Sequence, residues 1–125
     1  MKKTFIIALI LGLLSSCSKP YEERYDSLYY DNPYTGERCS RMFTSYELTA
    51  IGDAVAIVVY YSGEWTAALP EDCGWAYITR TAYEGVKTMH FVYSTNDGEE
   101  RSTVLTIKAD NGETLDITFT QSSKQ

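Results

Sequence analysis

The chain has few side chains with reactive chemistry: one histidine, three cysteines and two tryptophans among 125 residues. On its predicted strand His90 shares a face with Thr88 and Val92, which offer neither the nucleophile nor the carboxylate that acid–base or covalent catalysis needs. One histidine and separated cysteines fall short of a tetrahedral metal site, and the acidic residues lack calcium-loop spacing. The sequence therefore predicts a protein that is not an enzyme, with no catalytic residue, metal or cofactor, and with His90 exposed on a strand.

The first cysteine ends a pattern that is typical of an exported lipoprotein. Two lysines at positions 2 and 3 precede an apolar run over residues 5–14, and Ser15, Ser16 and Cys17 follow. The run suits a secretory signal and is too short to span a bilayer. The segment resembles a lipobox, in which the cysteine carries a diacylglyceryl thioether that anchors the chain. We expect residues 1–16 to be a signal peptide, Cys17 the lipid-attachment site, and the protein to be anchored to the outer membrane, either on its periplasmic face or at the cell surface.

The other two cysteines, Cys39 and Cys73, form an even pair in a compartment where disulfides persist. A bridge between them would close a loop of roughly 35 residues, worth about 3–4 kcal/mol in the chain-entropy estimate. Spacing along the chain does not fix the distance between two thiols. The sequence therefore leaves open either a Cys39–Cys73 disulfide or two separate thiols.

The charge of the chain argues against some classes of binding partner. There are 17 acidic and 11 basic residues, a formal net charge of −6, and loss of Lys2 and Lys3 with the signal peptide would make it −8. An acidic protein is a poor partner for nucleic acid or anionic headgroups. The expected partners are the membrane, through the lipid, and a polysaccharide or an envelope protein.

Residues 17–41 are predicted to be the lipidated cysteine and a tyrosine-rich linker, because the segment is polar and contains Pro20 and Pro33. Five of the eleven tyrosines of the chain lie in it: Tyr21, Tyr25, Tyr29, Tyr30 and Tyr34. The spacing of the first three would also suit one face of a short helix. Three alternatives stay open: such a helix, a linker that packs partly on its own domain, and an aromatic segment that docks on a partner or a glycan.

From Met42 onward apolar residues alternate with a period of two, and no helical stripe appears. Strands are predicted over residues 55–61, 65–69, 75–79, 88–93, 103–108 and 115–120. The sequences Asn96-Asp97-Gly98 and Asp110-Asn111-Gly112 predict turns. Residues 42–125 are therefore expected to form an all-β domain, an immunoglobulin-like antiparallel β-sandwich of about seven strands.

Residues 46–121 resemble the BACON family, the Bacteroidetes-associated carbohydrate-binding often N-terminal domain. The likeness rests on the order and spacing of Ile57 and Val59, Trp65, Trp75, Gly85, a strand leading to Asn96, then Arg101, and a last strand closing on Gln121. The resemblance implies a β-sandwich in proteins that handle polysaccharides at the cell surface, with a carbohydrate-binding or a spacer role. It implies no particular binding residue.

The two tryptophans are predicted to have different roles. Trp65 alternates with Ala67 and Leu69 and is expected in the core. Apolar C–H faces of pyranose rings stack on aromatic planes, and Trp75, Tyr77 and Tyr83 are the candidate exposed platform for a glycan. The polar residues Asn96, Arg101 and Gln121 are expected to serve the fold through turn and strand-end hydrogen bonds.

Two functions stay open. One is a non-catalytic cell-envelope lipoprotein whose BACON-like module binds carbohydrate or acts as a spacer in polysaccharide handling. The other is an accessory lipoprotein that docks on an envelope complex or inhibits an enzyme through its tyrosine-rich segment and acidic surface.

Overall fold

The computed structural model describes residues 24–124, which form strands, turns and loops and contain no helix. It follows that this part of the chain has no helix able to cross a membrane. The strands are β1 (Tyr29–Asp31), β2 (Arg38–Ser40), β3 (Ser45–Leu48), β4 (Asp53–Val59), β5 (Glu64–Ala68), β6 (Ala76–Ile78), β7 (Ala82–Glu84), β8 (Lys87–Tyr93), β9 (Arg101–Ala109) and β10 (Thr114–Gln121). The predicted all-β class is confirmed, whereas the predicted signal peptide and Cys17 lie outside the described residues.

Two sheets form the sandwich. One has five strands in the order β3-β10-β9-β5-β7, the other has three in the order β4-β8-β6, and β1 and β2 form a separate hairpin. The described sandwich thus has eight strands, close to the seven predicted. One pair departs from the predicted antiparallel arrangement, because β3 runs parallel to β10 with Tyr46 opposite Phe119. After β3 the chain crosses to the other sheet, so β3 needs no hairpin partner.

Alternation along the strands builds the core, as predicted. The inward-facing residues of β4, β5, β8, β9 and β10 are buried, among them Ile57, Trp65, Met89, Leu105 and Ile117. Burial of apolar surface contributes about 25 cal/mol per Å² to the free energy of folding, so these side chains are the main source of stability. The predicted strands and the turns at Asn96-Asp97-Gly98 and Asp110-Asn111-Gly112 are confirmed, and Gly112 adopts φ +93°, which favours glycine.

Stacked aromatic rings link the two sheets. The Phe91 ring of β8 stacks on the Phe119 ring of β10, with centroids 3.8 Å apart and planes 4° apart. The Tyr46 ring stacks on the outer side of this pair, 5.2 Å from Phe119. Trp75 meets Phe91 edge-on at 6.3 Å. This aromatic stack runs from the edge strand β3 through the core to the start of β6.

A buried glutamine joins three connections at one end of the sandwich. The Gln121 side chain is fully buried. Its Nε2 donates to the carbonyl oxygens of Thr49 (3.1 Å), Ala50 (3.2 Å) and Ser94 (2.8 Å), and its Oε1 accepts from Arg101 Nε (2.8 Å). Because the β3–β4 loop, the end of β8 and the start of β9 bind one amide, Gln121 holds the two sheets together there. The expectation that Gln121 satisfies backbone groups is confirmed.

Asn96 and Arg101 lie at the same end of the sandwich. We call Asn96, Arg101 and Gln121 together the amide junction. Asn96 is 2% exposed. Its Oδ1 accepts from Gly98 N (3.0 Å), two residues on, and its Nδ2 donates to the carbonyl of Ser122 at 3.0 Å. Arg101 Nη2 donates to the carbonyl of Ser94 at 3.2 Å. Both residues serve the fold, as the sequence predicted.

Carboxylates close the opposite end of the sandwich. Glu113 accepts from Ser27 Oγ (2.7 Å) and from the Leu28 amide (2.8 Å), and it pairs with Arg38 at 3.3 Å. Partial burial by itself raises the pKa of Glu113. The hydrogen bonds and the nearby Arg38 together lower the pKa by more than burial raises it, so it lies below its usual value. The carboxylate therefore holds the N-terminal segment in its ionised form at neutral pH.

The tyrosine next to this end is also held by a carboxylate. Tyr61 is buried and donates to the Asp110 carboxylate. Burial and this hydrogen bond raise the pKa of Tyr61 to about 12. Donation from Tyr61 and from the Glu64 amide lowers the pKa of Asp110.

The described part of the predicted linker packs on the sandwich, which is one of the three alternatives that the sequence left open. Leu28 is fully buried in the core, β1 and β2 pair as a hairpin, and the Ser62 amide donates to the carbonyl of Tyr25 at 2.8 Å. A helix through Tyr25 and Tyr29 is also absent, since Tyr29 begins β1. Tyr21 lies outside the described residues. The segment packs because Leu28 buries apolar surface, a tertiary gain that local composition does not reveal.

The core position of Trp65 predicts a large loss on truncation. Trp65 is 1% exposed, stacks on Tyr83 and donates from Nε1 to the Gly85 carbonyl at 2.9 Å. We expect Trp65→Ala to lower the free energy of unfolding by about 3–5 kcal/mol. Tyr77 is 60% exposed, and Tyr77→Ala should cost about 0.5 kcal/mol or less. Urea unfolding of the two variants in parallel checks this, and equal losses would contradict it.

The hydrogen bonds of the amide junction predict that loss of the Gln121 amide also lowers the stability of the protein. Gln121→Leu roughly keeps the volume but removes the hydrogen bonds of the amide to the three carbonyls and to Arg101 Nε, so we expect a loss on the order of 3 kcal/mol. Thr120→Val, the neighbouring and partly exposed position on β10, is the matched control and should change stability by about 0.5 kcal/mol. Urea unfolding monitored by tryptophan fluorescence measures both. A Gln121→Leu variant as stable as the parent would show that the junction is not needed.

Candidate functional site

The structure does not assemble the predicted platform of Trp75, Tyr77 and Tyr83. Tyr83 belongs to β7 of the five-stranded sheet, whereas Tyr77 lies in β6 of the three-stranded sheet. The Tyr83 side chain is 6% exposed and its ring stacks on Trp65, with centroids 4.1 Å apart. Tyr83 is a core residue, because β7 pairs with β5 in a register that sets it opposite Trp65.

Trp75 and Tyr77 remain near each other but differ in exposure. Trp75 is half-buried and packs against the core, and the Arg101 guanidinium lies 4.5 Å from its ring centroid. Tyr77 is exposed beside Val92. A depression of about 400 Å³ adjoins both rings. Since Arg101 already lies against Trp75, the only large exposed ring here is that of Tyr77.

Of the two alternatives left open for Cys39 and Cys73, the structure has two free thiols. Cys39 follows Arg38, which binds Glu113 beside the β9–β10 turn. Cys73 lies two residues before Trp75, at the opposite end of β9. The nine residues of β9 span roughly 27 Å, far beyond the separation that a disulfide tolerates. The topology therefore places the two thiols at opposite ends of the sandwich.

Other reactive side chains are scattered. His90 is exposed on β8, as predicted. Within residues 24–124 no three histidine, cysteine or acidic side chains come together in a way that could hold a metal ion.

A different aromatic surface lies between the edges of the two sheets, and we call it the seam groove. It has two adjoining lobes of about 360 and 290 Å³, which share Arg41 and Tyr60 in their walls. The lining residues come from the N-terminal segment, β3 and β4: Tyr25, Tyr30, Ser40, Arg41, Met42, Phe43, Tyr46, Ala56, Ile57, Val58 and Tyr60. Both lobes together fall within the size range of small-ligand sites.

Edge strands position this groove. β3 and β4 are the terminal strands of their sheets and lie on the same side of the sandwich. Tyr46 faces the groove from β3 while its ring stacks on Phe119 of the core. Burial raises the pKa of Tyr46, so its hydroxyl stays protonated. The groove wall is thus continuous with the aromatic stack.

Several groove rings are open to solvent. Phe43 is 76% exposed, Tyr30 43% and Tyr60 37%. Phe43 contacts Tyr46 edge-on at 6.2 Å, and Tyr25 and Tyr60 lie 5.4 Å apart. Such rings offer flat apolar surfaces, with tyrosine hydroxyls as hydrogen-bonding groups at their edges.

Of the described residues, Arg41 is the only charged one in the groove wall. Its Nε donates to the Ser27 carbonyl at 3.1 Å, and its guanidinium lies 5.1 Å from the Tyr25 ring centroid and 5.8 Å from that of Tyr30. These distances suit cation–π contacts. The arginine is therefore held in place among the aromatic rings.

Sequence reasoning missed the groove. The tyrosine-rich segment was one signal, and an aromatic segment that docks on a glycan was among the alternatives. Phe43 and Tyr60 gave no signal, because Phe43 lies in a loop and Tyr60 falls between Val59 and Tyr61, the inward-facing positions of the predicted strand. Only the meeting of β3 with β4 brings these residues together.

Comparisons with known proteins support the fold. No protein-family model matches the chain, and no curated protein matches it. Among solved structures the chain is similar to a Bacteroides ovatus GH5 xyloglucanase in complex with a XXXG heptasaccharide, with 24% identity and a TM-score of 0.61. The match covers 66% of this chain and 18% of the xyloglucanase chain. It is also similar to a protein from Bacteroides thetaiotaomicron solved by NMR, with 12% identity and a TM-score of 0.52, over 87% of this chain and 98% of that one.

Proposed function

We propose that this chain is a non-catalytic cell-envelope lipoprotein with a BACON-like sandwich that binds carbohydrate through the seam groove. The observation that carries the proposal is the set of exposed rings of Phe43, Tyr30 and Tyr60 around one groove. Carbohydrate sites commonly use such rings against the C–H faces of sugars, with a few polar groups that fix orientation. The groove has both kinds of group.

Further support comes from the sequence and the fold. The pattern that ends at Cys17 is that of a lipoprotein signal, which would tether the domain to the outer membrane. The fold likeness to part of a Bacteroides xyloglucanase is compatible with a module used in polysaccharide handling.

Glycan binding should depend on the groove. Phe43→Ala and Tyr60→Ala remove stacking surface, and we expect each to weaken binding about tenfold to a polysaccharide identified on a glycan array. The measurement is isothermal titration calorimetry, with urea unfolding to verify that each variant is folded.

Two exposed tyrosines outside the groove are matched controls. Tyr34→Ala alters a ring that is 94% exposed in the β1–β2 turn and should leave binding unchanged. Tyr77→Ala tests the site expected from the sequence. Loss of binding in Tyr77→Ala alone would move the site to β6, and absence of any glycan response would reject carbohydrate binding.

The lipid anchor gives an independent prediction. Because the thioether needs the Cys17 sulfur, Cys17→Ala should be lost from the membrane fraction after a sodium-carbonate wash, while the parent stays and incorporates a fatty-acid analogue. Cys39→Ala is the matched control and should behave as the parent. Equal fatty-acid labelling of Cys17→Ala and the parent would refute the anchor.

A second candidate function is a protein-interaction accessory, which docks on an envelope complex or inhibits an enzyme. The observation in its favour is β4, a seven-residue edge strand beside the groove. An extended segment of a partner could pair with such an edge. Co-purification of an envelope protein together with a negative glycan array would favour this candidate.

A further inference from the structure

We infer that the seam groove binds an acidic sugar, a pyranose that bears a carboxylate, and that Arg41 receives this carboxylate. The inference rests on the proposed function and narrows the class of glycan. It is carried by the charge of the groove wall and by the contacts of Arg41.

The groove differs in charge from the rest of the protein. The chain has 17 acidic residues against 11 basic ones. Among the described residues 24–124 no acidic residue lines the groove, and the single charged group in its wall is the cation of Arg41. In this part of the chain an anion that approaches the acidic protein therefore meets a positive site with no carboxylate beside it in the groove wall.

The other arginines near the groove or the sandwich ends are already engaged. Arg24 pairs with Asp26, Arg38 pairs with Glu113, and Arg101 binds the amide of Gln121. Arg41 uses only Nε, which donates to a carbonyl. Its two terminal nitrogens have no hydrogen-bond acceptor among residues 24–124, and no carboxylate of that range lies within ion-pair distance. They are the donors that bind a carboxylate in bidentate fashion.

The position of Arg41 suits a ligand with a ring and a carboxylate. Arg41 and Tyr60 line both lobes, so the cation lies at their junction with aromatic surface on either side. The contacts with Tyr25 and Tyr30 orient the guanidinium before any ligand arrives, which lowers the entropy cost of binding. A uronic acid carries its carboxylate at the edge of the ring, so its C–H face can stack on a groove ring while the carboxylate reaches Arg41.

The test compares three polymers on the full-length protein. Polygalacturonate supplies uronic acid rings, fully methyl-esterified polygalacturonate has the same backbone without the charge, and poly-L-glutamate has carboxylates without pyranose rings. By isothermal titration calorimetry we expect polygalacturonate to bind at least about tenfold tighter than either of the others.

Variants locate the contact. Arg41→Gln should lose about tenfold in affinity for polygalacturonate, and Arg41→Lys should keep part of it because the charge remains. Arg24→Gln is the matched control, since it removes one positive charge from the same segment outside the groove. Urea unfolding shows whether Arg41→Gln is folded, and if it is not, the comparison of the three polymers on the parent decides.

Each remaining outcome counts against the inference. Equal binding of the esterified polymer, or an unaffected Arg41→Gln variant, overturns the acidic-sugar assignment and leaves the proposed function standing on neutral glycans. Poly-L-glutamate binding as tightly as polygalacturonate would mean that the groove takes an acidic polypeptide. Failure to bind any polysaccharide on the array rejects the proposed function itself.

Discussion

The amide of Gln121 is the interaction on which the rest of the fold depends. A β-sandwich consists of two sheets with no backbone hydrogen bonds between them, so something else must fix their relative position. Here one fully buried amide binds the β3–β4 loop, the residue that follows β8 in the three-stranded sheet, and Arg101 at the start of β9 in the five-stranded sheet. A buried polar group is tolerated only when its hydrogen bonds are made. This requirement makes the junction specific, since a displaced sheet would leave carbonyls unpaired inside the protein.

The aromatic stack extends the close packing from the interface between the sheets to the edge strand β3. Phe91 and Phe119 meet face to face between the sheets, and Tyr46 extends the stack to the side where β3 and β4 form open edges. The inner wall of the seam groove is therefore part of the core rather than a mobile loop. A surface held by close packing loses little freedom on binding, which favours its use as a recognition site.

The two aromatic regions of the sandwich serve different purposes. At the amide junction Trp75 lies against Arg101, and that arginine is committed to Gln121 and to backbone carbonyls. In the seam groove Arg41 also lies against aromatic rings, but its terminal nitrogens have no acceptor in residues 24–124. The same pair of residue types thus stabilises the fold at the amide junction and offers a charged donor in the seam groove. The difference lies in the neighbouring acceptors and not in the residues themselves.

The sequence by itself determined six of the ten described strands (β4, β5, β6, β8, β9 and β10), the two turns, the burial of Trp65 and the structural roles of Asn96, Arg101 and Gln121. These follow from local rules, because alternation and turn chemistry act over a few residues. Tertiary structure decided the parallel pairing of β3 with β10, the burial of Leu28, the separation of Cys39 from Cys73, the removal of Tyr83 from the expected platform, and the groove around Arg41 and Tyr60. Each of these depends on which edges and ends of the sheets meet, and period-two alternation is the same for every possible pairing of the strands.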